Sequence, residues 1–189
     1  IVYTMDSHIK KSRKWWFEDL KGPRYIMSPM VGQSELAFRE LCREHGTELC
    51  YTPMFISDVF VSSKKYRKKV WQTNEKDRPL IVQFCGSNAD TLLRAAKMVE
   101  KDCDAVDLNL GCPQKVAERG QYGAFMMDRH HWPNIRKIVS TMSRGLSIPV
   151  TVKVRVFEDV SKTLAYCEML QESGASLLAI HPRTRTQRE

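Results

Sequence analysis

Ala105-Val106-Asp107-Leu108-Asn109-Leu110-Gly111-Cys112-Pro113-Gln114 reads as a buried strand that runs into a sharp turn. Ala105, Val106, Leu108 and Leu110 supply a short apolar run, and Gly111 ends it with the backbone freedom that a tight turn needs. Pro113 fixes its own φ and biases Cys112 toward an extended backbone. The thiol is thereby held in one orientation at a strand end, a placement that suits a reacting group. The competing reading is a small buried hydrophobe on a turn.

The same strand-then-helix rhythm extends in both directions. Strands are predicted at residues 25–28, 49–51, 80–84, 105–108, 150–156 and 177–180. Helices follow at 34–45, with Ser34 as cap, Leu36, Ala37 and Leu41 on one side and Gly46 as stop, and at 88–101, 134–142 and 161–173. The last of these carries Leu164, Cys167 and Leu170. Strand starts are roughly 25 to 45 residues apart, enough for right-handed βα crossovers. Runs such as Ile81-Val82 and Leu177-Leu178 suit a parallel sheet covered by helices. The fold class is α/β. From the pattern alone it is either an open doubly wound sheet or a closed (β/α)8 barrel, and a barrel would lack its last two units.

A chain of 189 residues accommodates one substantial core and is short for two domains. It starts at Ile1 and stops in a charged run, residues 183–189, which predicts a piece of a longer protein. Asp6, His8 and Lys10 interrupt the first apolar residues, unlike a secretory signal. No apolar run approaches the ~20 residues of a membrane span. The expectation is a soluble protein without a membrane partner. Residues 1–23 form a basic extension in which Trp15, Trp16, Phe17 and Leu20 suggest a short amphipathic helix packed on the main body, residues 24–189. A membrane-surface helix has the same composition, but Glu18 and Asp19 interrupt its basic face.

The six cysteines are scattered without a Cys-x-x-Cys pair, so free thiols in a reducing compartment are expected, with neither a disulfide framework nor a metal site. The net charge of +8 gathers in Lys10-Lys11-Ser12-Arg13-Lys14 and in Lys64-Lys65-Tyr66-Arg67-Lys68-Lys69. Nucleic acid is the first polyanion to consider, and two solvated helical faces are the alternative.

In an α/β barrel the working residues sit where strands run out into βα loops. Those positions hold Ser28-Pro29-Met30-Val31-Gly32, Gln83-Phe84-Cys85-Gly86, Asn109 to Cys112, Lys153-Val154-Arg155 and His181-Pro182-Arg183. Lys153 and Arg155 share one face of a valine-rich strand. Buried cations require carboxylates, an anionic ligand or an electron-rich ring; otherwise that face is open to water. His181 and Gln83 carry little weight singly, and their co-occurrence at successive strand ends is the signal.

With these residues in place, the chain from about Trp15 to Arg185 resembles the dihydrouridine synthases, flavin enzymes that reduce uridine to dihydrouridine in transfer RNA. The resemblance rests on Ser-Pro-Met-Val (28–31), Gln-Phe-Cys (83–85), Asp-Leu-Asn-Leu-Gly-Cys-Pro-Gln (107–114), Gly120-Gln121-Tyr122-Gly123-Ala124-Phe125, Lys153-Val154-Arg155 and His181-Pro182-Arg183-Thr184-Arg185. The 120–125 stretch and Leu-Cys-Tyr-Thr-Pro-Met (49–54) resemble the eukaryotic subgroup acting at D-loop positions 16 and 17.

The resemblance implies an FMN-binding (β/α)8 TIM barrel, here cut after about six units, followed in the family by a helical tRNA-binding domain. It implies that Pro29, Met30 and Val31 line the flavin with backbone atoms, that Gln83, Lys153 and His181 hydrogen-bond it, and that NADPH or NADH supplies electrons. Asn109, Arg155, Arg183 and Arg185 would hold the substrate RNA. Cys112 would be the proton donor, its neutral thiol protonating C5 of a uracil that takes hydride at C6 on the other face. The target base must leave its stack to react. The implied setting is the cytoplasm, with the nucleus as a second compartment. Two other functions fit parts of the pattern: a catalytically inactive tRNA-binding barrel, and another FMN barrel acting on a free pyrimidine. Pro182 departs from the Gly usual in the family after the last strand's histidine and removes an N–H from that loop.

Overall fold

Seven parallel strand segments make one sheet in the computed structural model, which describes residues 2–187. They are β1 (Ile26–Met27), β2 (Leu49–Tyr51), β3 (Phe55–Ile56), β4 (Leu80–Cys85), β5 (Ala105–Leu110), β6 (Val150–Arg155) and β7 (Leu177–His181). The helices are α1 (Val2–Lys14), α2 (Leu36–Glu44), α3 (Ser57–Ser62), α4 (Lys64–Val70), α5 (Ala89–Lys97), α6 (Lys115–Arg119), α7 (Trp132–Gly145) and α8 (Val160–Glu172). Arg188 and Glu189 of the terminal charged run lie outside the described residues. No helix among the described residues is long and apolar enough to cross a membrane.

β2 and β3 are one stave with a bulge. Tyr51 lies level with Ile81 and Phe55 with Phe84, so four steps on one side match three on β4. Thr52 repairs the ladder there: its N–H donates to the Ile81 carbonyl at 3.0 Å, and its hydroxyl accepts the Gln83 N–H at 3.0 Å.

The strand order β1-β2-β4-β5-β6-β7 follows the chain without reversal. A doubly wound sheet reverses at a switch point because its helices cover both faces. Unreversed right-handed crossovers put every helix on one face, and the sheet's own twist curls it toward the other. Six staves of a TIM barrel result, which resolves the choice the sequence left open.

Alternation then sorts the side chains. Leu80, Val82, Phe84, Val106, Leu108, Leu110, Val152 and Val154 point outward into the core under the helices, where Leu92, Ile135, Ile138 and Leu170 are fully buried. Inward, Leu49, Tyr51, Ile81 and Ala105 form an apolar floor, closed by Trp15 and Leu20. Trp15 opens a single π-helical turn, Trp15–Asp19, that continues α1, and the His8 ring contacts the Ala175 carbonyl at 3.1 Å. The N-terminal segment therefore plugs the end of the sheet where the strands begin.

Two helical faces differ from the sequence reading. In α2 the residue turned inward is Arg39, 1% exposed, while Leu41 is 47% exposed. Ser34 is not the cap; Glu35 occupies that position, and the Ser34 hydroxyl bonds the Met30 carbonyl and N–H, both at 3.0 Å. In α8, Tyr166, Met169 and Leu170 are buried and Leu164 is 59% exposed, with Asp159 capping through the Ser161 N–H. Spacing alone misplaced α2 because its buried partner, Asp77, comes from a distant loop. Arg39 Nε meets both Asp77 oxygens at 3.2 and 3.0 Å, and its Nη groups donate to the Ser34 and Gln72 carbonyls at 2.8 and 2.7 Å.

Candidate active site

The open end of the curled sheet is polar, in tiers set by the register. Gln83, Asp107 and Thr151 are level with one another; Asn109 is level with Lys153, and Arg155 with His181. Above the apolar floor these side chains converge on a cleft of about 250 Å³. Gln83, Asn109, Cys112, Lys153, Arg155 and His181 line it, against Pro29, Val31 and Met54.

Three expected residues stand outside that lining. Met30 packs partly buried against the outer core. Arg183 is exposed, its carbonyl accepting the Val156 N–H at 3.2 Å. Arg185 is drawn to Asp128 at 2.9 Å and lies 5.6 Å over the Phe125 ring, in a neighbouring cleft. The sequence reading missed Met54, Thr151 and Asp107. Asp107 was accessible to it, being two residues before Asn109 and so on the same inward face.

A directed chain of hydrogen bonds ends at the cysteine. The Thr151 hydroxyl donates to Asp107 Oδ1 at 2.6 Å and Gln83 Nε2 donates to Oδ2 at 2.8 Å. Asn109 Nδ2 then donates to Gln83 Oε1 at 2.9 Å. Asn109 Oδ1 accepts the Gly111 and Cys112 N–H groups at 3.1 and 2.9 Å. An ionised carboxylate only accepts, so Asp107 dictates which way both amides point. The Cys112 carbonyl accepts the Ala124 N–H at 3.0 Å. Gly123, at φ +64°, lies so near that a Cβ there would be 2.7 Å from the Cys112 oxygen. The 120–125 motif therefore clamps the far side of the turn.

Complete burial pushes the Asp107 carboxyl up to about 6, against the opposing pull of Thr151, Gln83 and Lys153. The native state thus holds a proton there that the unfolded chain releases. This contribution to stability is full below about pH 4 and is lost as pH rises through about 6. Asp107→Asn removes the titration and replaces one acceptor oxygen by an NH2 donor, which only the Thr151 hydroxyl can turn to accept. We expect it to cost about 1–3 kcal/mol. The stability difference between wild type and variant should narrow from about pH 4 to about pH 6. Urea unfolding of both proteins across that range measures it; a constant difference would show that Asp107 does not titrate there.

The cations face the cleft without a carboxylate among its lining residues. Arg155 Nε donates to the Gly111 carbonyl at 3.0 Å, and Nη1 to the Thr184 and Gln187 carbonyls at 2.7 and 2.9 Å. Lys153 Nζ has no hydrogen-bond partner among the described residues. Burial draws its pKa down, Asp107 opposes this, and Arg155 adds to it. Burial, then Arg155, Lys153 and Arg183, hold His181 below the usual imidazole value, so its ring is neutral at pH 7. A neutral imidazole and a half-buried ammonium with free donors suit a ligand rich in acceptor atoms.

These groups fit the ring of the flavin that the resemblance implies. Its acceptor-rich edge matches the unpartnered donors of Lys153, and Pro29, Val31 and Met54 offer an apolar wall. Among the described residues no group of three or more His, Cys, Asp or Glu side chains could hold a metal ion.

Residues 26–189 match the family model described as dihydrouridine synthase. The chain is 47% identical over 175 residues to the Saccharomyces cerevisiae protein named tRNA-dihydrouridine(16/17) synthase [NAD(P)(+)], covering 91% of this chain and 41% of that protein. A Rattus norvegicus protein named as a (16/17) synthase-like relative is 45% identical over 177 residues, covering 93% of this chain and 40% of the relative. A Homo sapiens protein named tRNA-dihydrouridine(20a/20b) synthase [NAD(P)+]-like is 36% identical over 166 residues, covering 86% of this chain and 52% of that protein. The chain thus spans about two-fifths of the length of the (16/17) relatives.

Proposed function

The chain belongs to the dihydrouridine synthase family, and from that premise we propose that its polypeptide reduces uridine to 5,6-dihydrouridine in tRNA, at D-loop positions 16 and 17. The observation that carries this reading is the meeting of Gln83, Asn109, Cys112, Lys153, Arg155 and His181 in one cleft, from four different strands or the loops that follow them. The higher identity to (16/17) relatives than to the (20a/20b) relative supports the choice of position.

The chemistry that bound FMN would supply is a hydride for C6 of the uracil, with NADPH or NADH as the source of electrons. Cys112 holds the matching proton on Sγ and delivers it to C5, so that the C5=C6 double bond becomes a single bond. The clamp on both sides of its backbone keeps Sγ in place. Lys153 would donate to the ring of a bound flavin, where its positive charge would offset the negative charge that reduction adds. His181 and the remaining amide capacity of Gln83 would hold the same edge. Arg155, anchored through Nε and Nη1, presents Nη2 to the uracil, beside the second Asn109 Nδ2 hydrogen. By the barrel's general rule the FMN phosphate would belong to the loops after a barrel's seventh and eighth staves, of which β7 is the sixth. Residues 1–23 serve as a basic extension and 24–189 as part of the catalytic barrel. The cytoplasm and nucleus hold the tRNA substrate and keep thiols reduced.

The test uses a polypeptide carrying all eight βα units. It should purify with flavin absorbance, oxidise NADPH or NADH, and convert positions 16 and 17 of unmodified tRNA. RNA binding without flavin would indicate an inactive barrel, and turnover of free pyrimidine alone would indicate the other flavin reaction. In the same polypeptide Lys153→Ala should lower flavin retention or its rate of reduction by about tenfold or more, the loss of one charged hydrogen bond. Normal retention together with normal reduction would remove Lys153 from the cofactor site.

A further inference from the structure

The two basic clusters, four cations at 10–14 and five at 64–69, carry the same kind of signal as sequence, yet the fold sends them to opposite ends of the sheet. Lys11 and Lys14 of α1 share a cavity with Pro149, Val150 and Ser176, where β6 and β7 begin. α4 instead sits at the strand ends. The Ile56 N–H, at the end of β3, donates to the Tyr66 hydroxyl at 3.5 Å. Tyr122 belongs to the buried cluster against which both Tyr66 of α4 and Cys112 of the cleft pack. Arg67 turns inward, donating to the Phe60 carbonyl at 2.6 Å.

This anchoring leaves Lys64, Lys65, Lys68 and Lys69 exposed as one stripe, at spacing i, i+1, i+4, i+5. None of the four forms an ion pair among the described residues. Helix stability does not explain them. Lys68 and Lys69 complement the dipole of the last turn, but Lys64 and Lys65 oppose it in the first, and Lys64/Lys68 and Lys65/Lys69 are like-charge neighbours. A polyanion lying along the stripe relieves both penalties.

We infer that the Lys64–Lys65–Lys68–Lys69 stripe of α4 is a phosphate-backbone track on the rim of the cleft, guiding RNA toward Cys112, and that the α1 cluster takes no part in it. This rests on the proposed tRNA reading. It adds where the RNA crosses the barrel, through contacts that read backbone charge and not base sequence.

The test is the binding of unmodified tRNA as a function of salt, in the full polypeptide. Replacing the four α4 lysines with Gln should weaken binding at about 0.1 M salt by tenfold or more and raise KM for tRNA. It should also reduce the slope of log K against log salt by about 0.7–0.9 for each phosphate that a lysine no longer neutralises. Lys64→Gln with Lys65→Gln should give about half the slope change, which guards against a folding defect in the fourfold variant. Replacing Lys10, Lys11, Arg13 and Lys14 with Gln should leave the slope unchanged. An unchanged slope in the α4 variants, or an equal drop in the α1 variant, overturns the inference. So does an α4-dependent attachment to phosphatidylserine vesicles with tRNA binding intact. Dihydrouridine formation by the wild type is scored separately. An active wild type with an indifferent stripe sinks this inference alone, and an inactive wild type with a stripe-dependent slope sinks only the catalytic reading.

Discussion

Cys112→Ala, in a polypeptide carrying all eight βα units, is expected to lower dihydrouridine formation by about 10²–10⁴-fold, the usual contribution of a positioned general acid. Flavin content and the rate of flavin reduction by NADPH should persist, because the Cys112 thiol forms no hydrogen bond to the cofactor's proposed polar partners, Gln83, Lys153 and His181, among the described residues. The loss should fall on kcat more than on KM, since the thiol acts on C5 only as the double bond is reduced. The turn should survive. Its bonds run through the Cys112 backbone N–H and carbonyl, which alanine retains, and Gly123 still closes the far side. Single-turnover reduction of tRNA by pre-reduced enzyme separates the chemical step from binding. Wild-type turnover in that assay would take Cys112 out of the mechanism.

Asp77→Ala should produce the largest loss of stability, about 3–5 kcal/mol, because it strands a buried cation. Arg39 is 1% exposed and Asp77 fully buried, and the guanidinium spends two of its nitrogens on that carboxylate. Arg43 Nη2 lies 3.4 Å from the other Asp77 oxygen and donates to the Pro79 carbonyl at 2.7 Å, so a second cation loses a neighbour as well. The Thr73 hydroxyl bonds Asp77 at 3.2 Å, which ties the loop entering β4 to α2. A loss of this size is a large share of the roughly 5–15 kcal/mol that holds a domain together. The paired change Arg39→Met with Asp77→Leu should recover most of it, because apolar groups of similar volume are not penalised by burial. Urea unfolding of Arg39→Met, Asp77→Leu and the pair gives the coupling as a double-mutant cycle. A single-variant cost below about 1 kcal/mol would mean that water reaches the pair and screens it.

The legible parts of this chain are those whose signal is local. β4 to β7 were found within two residues because alternating apolar runs between turn residues have few other uses. α7 was found through Ile135, Ile138 and Val139, which are fully buried. The cleft residues were found because barrel chemistry gathers at strand ends, and Gln83, Asn109, Cys112, Lys153, Arg155 and His181 do line one cleft. What escaped is non-local. α2 looked like a helix buried through Leu36, Ala37 and Leu41, yet its inward residue is an arginine whose partner lies 38 positions away. The bulge at Thr52 was invisible because it arises from a mismatch between two strands and not from either alone. Arg183 and Arg185 followed their motif into the site on paper, but Asp128 holds Arg185 to one side.

By itself, then, the sequence determined a parallel βα succession and a cysteine presented on a Gly-Cys-Pro turn, because periodicity and turn chemistry act over a few residues. Only the tertiary structure decided that the sheet curls without reversal, and that Trp15 and Leu20 plug its floor while the other end stays polar. It alone decided that Asp107 directs the amides beneath Cys112, and that the basic cluster at 64–69 lies by the strand ends while the one at 10–14 lies where strands begin. Each of these depends on strand order and register, which bring together residues that no local pattern relates.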